Sequence, residues 1–328
     1  MEIVGRQIEV GVGIEETRGT AVTTADKWIK NTTATVVEHA EKAIDESKRG
    51  VLEDSLGARV VKKWIEGDIE GNLHADVIGY LLLNLYGASA STSLGSSVYS
   101  HNFTVDQTIE HPSLSIFAKD GGVQQKVMSG CMISKLELSA EIGKYISYTA
   151  SFMGKAAASN SDTPSYDTEY DFVTRDITLK MADTEGGLSG ASAIKIKDVK
   201  LTFDTGLIQD FVVGSYTPDD NYNAKMAIEG EFTLNYTDNT YKDLFLANTE
   251  KYLQLAIVGE ANIGGGANPT LTLLCNKVQI LDWNRDGSAD ELVTQPIKFK
   301  AFYNETDSQQ SEVTLINLTT EYEVPVSA

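Results

Sequence analysis

The chain has 328 residues, and its 27 Lys and Arg stand against 47 Asp and Glu, a formal net charge of −20. This acidity argues against a protein that grips nucleic acid, because phosphate binding requires clustered cations. Hydrophobic residues make up 41% and charged residues 23%, which is typical of a globular protein with a substantial core. The length favours two domains or one large β domain.

Neither a membrane-spanning helix nor a secretory signal is expected. The longest apolar run, residues 77–86, is interrupted by Gly79 and Asn84 and is about half the length that spans a bilayer. The N-terminal residues carry charges where a signal would be apolar. Only Cys131 and Cys275 could form a disulfide, so we expect reduced, buried thiols and synthesis in the cytoplasm.

The first predicted elements are a loop, a strand and a helix. Residues 38–56 are charged and have no clean period, which predicts a long exposed loop. Residues 65–69 alternate as a strand. From Asp76 an apolar stripe at helical spacing runs to Gly87, a residue type that commonly follows a helix C-terminus.

Later segments mostly alternate apolar and polar residues, as half-buried strands do. The clearest, in chain order, are residues 133–139, 146–152, 199–204 and 297–303. A second, shorter helix is expected after Asp238, a candidate N-cap, with Tyr241, Leu244 and Phe245 on its apolar side. One apolar and one polar face per strand indicates antiparallel sheets.

The order of predicted elements repeats on the two sides of residues 155–170, a segment rich in Ala, Ser, Asp and Thr that we interpret as a linker. A strand with a glycine, Gly67 or Gly230, precedes each helix, and a strand with a cysteine, Cys131 or Cys275, follows it. The prediction is a mainly β protein of two tandem β-sandwich or barrel units, each with a flanking α-helix. The units are expected at residues 1–154 and 171–328.

Motifs that would indicate catalysis are not found. The four histidines have no second ligand at a zinc-binding spacing, and neither a nucleophile elbow nor a phosphate loop is present. The acidic pair Glu15-Glu16 is expected on the solvated surface. We therefore predict a protein that is not an enzyme, with no catalytic residues and no cofactor.

One local motif resembles a calcium loop. Asp282, Asn284 and Asp286, followed by Gly287, match the first half of an EF-hand loop, whose alternate oxygens wrap the ion. However, Val293 stands where the loop needs a bidentate Glu, and no flanking helices are predicted. A hairpin turn is therefore favoured over a metal site.

Residues 4–7 and 13–21, which read VGRQ and GIEETRGTA, resemble the start of tail tube (major tail) proteins of long-tailed bacteriophages. The resemblance continues through residues 65–71, 81–83 and 130–152, and resumes at 199–204 and 228–234. It implies two packed β-sheets with a flanking helix in each unit. It also implies a structural virion protein whose rings stack into the tube that conducts DNA from capsid to host cell.

The resemblance also implies partners. A chain with two units would form a trimeric ring with pseudo-sixfold symmetry, although a hexamer stays open. Other tail proteins, such as the tape measure and the tail terminator, would be further partners, in a virion tail assembled in the host cytoplasm. The N-terminal arm, residues 1–20, and the loop 38–56 are candidate contacts between subunits or rings. The acidity then predicts a negatively charged channel wall along which DNA slides without specific binding.

Two other classes of function are alternatives. A receptor-binding or carbohydrate-binding β-sandwich would need clustered exposed aromatic residues or a complete calcium loop. A β-rich hydrolase would need a converging acid, base and nucleophile, and no spacing in the sequence indicates one.

Overall fold

A computed structural model describes residues 2–30 and 32–323, so Met1 of the expected N-terminal arm and residues 324–328 of the expected second unit lie outside the described residues. The first half contains β1 (Ile8–Ile14), β2 (Lys27–Ile29), β3 (Thr32–Asp45), β4 (Gly57–Asn72), α1 (Ile78–Tyr86), β5 (Gly87–Gly95), β6 (Val98–Val105), β7 (Leu114–Asp120), β8 (Gln124–Glu141), β9 (Ser147–Gly154) and β10 (Ala156–Ser159). The second half contains β11 (Ile177–Ala182), β12 (Ile196–Asp204), β13 (Ile208–Asp210), β14 (Asp220–Tyr222), β15 (Ala227–Asn235), α2 (Thr240–Ala247), β16 (Lys251–Val258), β17 (Thr270–Trp283), β18 (Thr294–Ala301) and β19 (Ser311–Asn317). The predicted mainly β class and the strand alternation are confirmed.

The same set of strand pairings occurs in both halves of the chain. In the first half, β3, β4, β9 and the C-terminal half of β8 lie side by side, and β1, β7, the N-terminal half of β8 and β10 form a second group. In the second half, β12, β15, β18 and β17 correspond to the first group, and β11, β16, β17 and β19 to the second. The long strands β8 and β17 belong to both groups of their half. All these pairs are antiparallel, as predicted.

The predicted glycine strands meet their partners in the same way in both halves. Gly67 on β4 lies opposite Phe152 on β9, and Gly230 on β15 lies opposite Phe299 on β18. A Cβ atom on Gly67 would lie 2.7 Å from Cζ of Phe152, and one on Gly230 would lie 2.3 Å from Cζ of Phe299. Glycine is therefore required because an aromatic ring of the neighbouring strand covers its Cα.

The two halves are joined through their sheets. The C-terminal half of β8 pairs with β12, which makes one sheet of eight strands in the order β3-β4-β9-β8-β12-β15-β18-β17. On the other side of the molecule β19 pairs with β6. Apolar residues from both halves and from α1 form one continuous core.

Both predicted helices are present. Helix α1 is followed by Gly87, whose φ of 86° and N–H bond to the Leu83 carbonyl end the helix as expected. The N-cap of α2 is Asn239 and not Asp238, so that detail was wrong. Asp238 still accepts a hydrogen bond from the Thr240 N–H at 2.9 Å. Neither helix, within the described part of the chain, is long and apolar enough to cross a membrane.

The predicted loop 38–56 is mostly a β-hairpin. Strand β3 extends to Asp45, β4 begins at Gly57, and only the residues between them form the turn. Residues 40–59 are nearly all exposed, so this hairpin projects from the body of the protein. Because both of its faces meet solvent, the alternation that marks a half-buried strand is missing from the sequence.

The cysteines are not equivalent, because Leu114 on β7 faces Cys131 on β8, whereas Lys251 in the corresponding pair faces Val278 on β17. Both thiols are free and buried, as expected. The expected linker, residues 155–170, contains β10, which pairs with β8. The division into two units around it stays a prediction.

Candidate functional site: the eight-stranded sheet

The eight-stranded sheet has one face on the core and one polar face. Leu136, Leu201 and Phe232 are buried on the core face, and the residues between them along each strand point the other way. Among the ladder-paired residues of the polar face up to the register shift in β3, the carboxylates outnumber the lysines eleven to five: Glu41, Glu66, Asp68, Glu70, Glu137, Glu141, Asp198, Asp204, Glu229, Glu231 and Asp282 against Lys62, Lys135, Lys200, Lys298 and Lys300.

The lysines of this polar face are neutralised by the carboxylates beside them. Lys135 and Lys200 both contact Glu137, at 2.5 and 3.2 Å. The hydrogen bond from the Lys135 ammonium holds the pKa of Glu137 below its usual value, so this group stays ionised. Lys300 contacts Glu229 at 2.8 Å. The remaining carboxylates leave the face with a negative surplus, which disfavours close contact with a polyanion.

The sheet has two open edges. Within the described residues, β3 pairs only with β4, and the C-terminal half of β17 pairs only with β18. Their unpaired N–H and C=O groups can therefore accept another strand. On β3, Glu38 occupies a core-side position, and a register shift occurs between Glu41 and Lys42. Such charges and irregularities are common protections of exposed edges.

The junction between the halves, β8 with β12, is the interior counterpart of these edges. On its core side Leu136 lies opposite Phe203 and Leu138 opposite Leu201, and all four are buried. On its polar side Lys135 lies opposite Asp204. The junction therefore combines an apolar seam with a pair of opposite charges.

The N-terminal arm belongs to the fold for most of its length. Residues 8–14 form β1, which pairs with β7, so much of the expected arm, residues 1–20, is part of the fold. Glu15 is also not on the surface as predicted, since it is 1% exposed. Its carboxylate accepts hydrogen bonds from the N–H groups of Gly19 at 2.7 Å and Gly130 at 2.8 Å.

Two serine hydroxyls complete the site around the Glu15 carboxylate, at 2.5 Å from Ser113 and 2.9 Å from Ser115. Nearby, Arg18 donates to Asp220 at 2.8 Å and to the carbonyl oxygens of His111 and Asn221. The GIEETRGTA motif thus holds the start of the chain on β7 and β8 and ties it to β14. The sequence offered no sign of this, because the hydrogen-bond donors lie far away in the chain.

The calcium-loop residues lie at the end of β17 and in the connection to β18. Asp282 is ladder-paired with Lys298, the Asn284 side chain accepts the N–H of Arg285 at 2.8 Å, and Asp286 forms a bridge with Thr294. The chain here follows a hairpin path. No group of three His, Cys, Asp or Glu that could hold a metal ion occurs among the residues that the structure describes.

Comparison with known proteins identifies the family. A family described as phage tail tube protein matches residues 5–301. No curated protein matches the chain. Among solved structures, the chain is similar to the SPP1 tail tube, determined by solid-state NMR and cryo-EM, with 11% identity and a TM-score of 0.27 over 45% of this chain and 81% of that one. The chain therefore belongs to the phage tail tube protein family and is a structural component of a virion tail.

Proposed function

We propose that three copies of this chain close into a ring with pseudo-sixfold symmetry, and that rings stack into a tube through which DNA leaves the capsid. The protein acts structurally, with itself and other tail proteins, such as the tape measure and the tail terminator, as partners. Assembly takes place in the host cytoplasm. Residues 1–154 and 171–328 form two tail-tube-like units within each chain.

The β8–β12 junction carries this proposal. It joins two four-stranded groups that have the same internal pairings. Each of the two strands that meet there, β8 and β12, has a counterpart in the other group, and that counterpart is an open edge of the eight-stranded sheet. β17 corresponds to β8, and β3 corresponds to β12. If the same pairing is repeated between chains, every open edge is paired and the sheets close into a barrel. A heterologous interface forms a closed ring in this way when its rotation closes.

The charge of the polar face favours a barrel in which this face lines the channel. If this face lines the channel, each chain contributes eleven carboxylates and five lysines to the wall. Each lysine lies within 4.0 Å of a carboxylate, so few cations are left to hold phosphates. DNA then passes along the wall without the counterion release that makes binding strong.

The β3–β4 hairpin is the best candidate for contact between rings. It projects beyond the sheet and carries exposed apolar side chains at and near its turn, with Ile44 64%, Val51 60% and Leu52 103% exposed. Exposed apolar residues grouped in this way commonly mark an interaction site. The short segment before β1, residues 2–7, is a second candidate.

Electron microscopy of the purified protein tests the proposal. Wild-type protein is expected to form rings or hollow tubes whose rings contain three chains by native mass spectrometry. A variant in which residues 46–56 are replaced by a two-residue turn should form rings that no longer stack. Val213, which is 106% exposed in another loop, gives a matched control, because Val213→Ser should leave tubes intact whereas Leu52→Ser should weaken stacking. A persistent monomer, or six chains in each ring, would contradict the proposal.

A further inference from the structure

The pairing of the two halves allows the contact between subunits to be read at the level of single residues, provided that the ring proposed above forms. Strand β3 corresponds to β12. Leu201 on β12 lies opposite Gly230, and Val36 on β3 lies opposite Gly67. Since the two glycines are equivalent, Val36 corresponds to Leu201.

Strand β17 corresponds to β8. Ile133 lies opposite Phe152, and Ile280 lies opposite Phe299. In both strands the register then shifts by one residue, before Lys135 in β8 and before Asp282 in β17. A shared bulge at the same place in each strand fixes the correspondence, so Asp282 occupies the place of Lys135.

We propose that the end of β17 and the two residues after it, Asn284 and Arg285, pair with β3 of the next subunit in the register of the β8–β12 junction. Within the chain, Lys135 lies opposite Asp204 and Glu137 lies opposite Thr202. Transferred between subunits, Asp282 lies opposite His39 of the neighbouring subunit, and Asn284 lies opposite its Val37. In the junction inside the chain the base is on β8 and the acid on β12, whereas between subunits the acid is on β17 and the base on β3.

The core side of the contact between subunits differs from the core side of the junction within the chain. Trp283 and Arg285 take the places of Leu136 and Leu138, and they face Glu38 and Val36 of the next subunit. Two of the four positions of the apolar seam, those of Arg285 and Glu38, are therefore charged. This is expected for edges that are exposed to water before assembly, because inward-pointing charges prevent uncontrolled edge-to-edge pairing.

Neighbouring groups on the polar side are compatible with the proposed pair. His39 stacks on Trp64 with ring centroids 4.9 Å apart, and its Nε2 lies 3.4 Å from Glu66. Asp282 is next to Lys298 on β18. Asp282 therefore lies between the Lys298 ammonium and the His39 imidazole, whose ring N–H can donate a hydrogen bond across the contact. A slip by two residues would place Asp282 opposite Val37 and remove this pairing.

Disulfide crosslinking of assembled tubes tests the register. Directly opposite residues on paired strands have Cβ atoms about 4.5–5.5 Å apart, whereas diagonal neighbours lie roughly 7–8 Å apart, which a disulfide does not bridge. Two in-register variants, His39→Cys with Asp282→Cys and Val37→Cys with Asn284→Cys, are compared with two slipped ones, Val37→Cys with Asp282→Cys and His39→Cys with Asn284→Cys. The native Cys131 and Cys275 are buried and do not compete.

After oxidation and denaturation without reductant, most of each in-register variant is expected to migrate as covalent dimers and trimers, and the slipped variants as monomers. Crosslinking confined to the slipped pairs would overturn the register while leaving the ring intact. Tubes that form with no crosslink in any variant would overturn the pairing of β17 with β3. Failure of the wild-type protein to form rings in the microscope would instead reject the proposed function.

Discussion

The two halves of the molecule share their strand pairings but differ in how deeply they bury their helix. All nine residues of α1 are buried, whereas every residue of α2 keeps some exposure. The difference comes from what covers α1: the β5–β6 hairpin, which α1 contacts, and Tyr322, whose ring lies 5.1 Å from that of Tyr80. The strand pairings are therefore the same whether or not the helix is covered. The apolar sequence of α1, in contrast, fits the residues that cover it.

The largest expected effect comes from truncating a leucine at the same place in each helix. Leu83 is as far from Gly67 in the sequence as Leu246 is from Gly230, but Leu83 is 2% exposed and Leu246 67% exposed. Leu83→Ala should lower the free energy of unfolding by about 3 kcal/mol, because it leaves a cavity. Leu246→Ala should change it by less than about 0.5 kcal/mol. Urea denaturation of unassembled subunits measures both, and equal losses would contradict the comparison.

A second matched pair tests the cover over α1. A Cβ atom on Gly79 would lie 2.1 Å from Cζ of Tyr322, whereas the corresponding residue of α2 is Lys242, which already carries a side chain. Gly79→Ala should destabilise the protein by about 2 kcal/mol through overpacking, despite the higher helix propensity of alanine. Lys242→Ala should be nearly neutral. Thermal unfolding separates them, and a stabilised Gly79→Ala variant would show that Tyr322 moves without cost.

The buried carboxylate of Glu15 has no counterpart at the corresponding position of the second half, since Thr184, which is as far from the start of β11 as Glu15 is from the start of β1, is exposed. Glu15→Gln replaces an acceptor oxygen by an amide group that faces N–H donors. We expect a loss of about 2 kcal/mol, typical of removing charge-assisted hydrogen bonds from a buried site. Glu16→Gln, next to it and exposed, is the control. Chemical denaturation that finds the two variants equal would refute the assigned role of Glu15.

The smallest effect concerns two carboxyl groups with opposite pKa shifts. Burial raises the pKa of Glu169, which lies 3.4 Å from His74 near the start of α1. Its ionised form therefore costs stability at neutral pH, and that cost is relieved as the pH falls through the raised pKa. Glu169→Gln should remove this part of the pH dependence.

Glu137 provides the opposite sign. Its pKa is lowered, so its contribution is present above its usual value of 4.5 and is lost as the pH falls through the lowered pKa. The difference in stability between wild type and Glu137→Gln should therefore shrink on acidification, whereas wild type should gain relative to Glu169→Gln. Denaturation curves at several pH values between 7 and 3.5 check both signs. Parallel curves for the two variants would contradict the assigned environments.

Local patterns in the sequence predicted much of the fold. The alternation in residues 133–139 and 297–303 predicted half-buried strands, and the stripe ending at Gly87 predicted α1, because these features depend on near neighbours in the chain. The two glycine strands at Gly67 and Gly230 were also apparent. The alternation identified the polar residues of each strand, but it did not show which strands are neighbours. The charge surplus of the polar face was therefore visible only in the assembled sheet.

Other features depend on contacts that are distant in the sequence. The β3–β4 hairpin has two exposed faces and therefore no period, and Glu15 resembles a surface acid until Ser115 and Gly130 surround it. The equivalence of Lys135 with Asp282 rests on a bulge that no residue type indicates. By itself the sequence determined the half-buried strands, the helices and the acidic character, because these follow from local periodicity and composition. Only the tertiary structure decided which edges stay open and which charges meet, because strand pairing joins residues that are far apart in the chain.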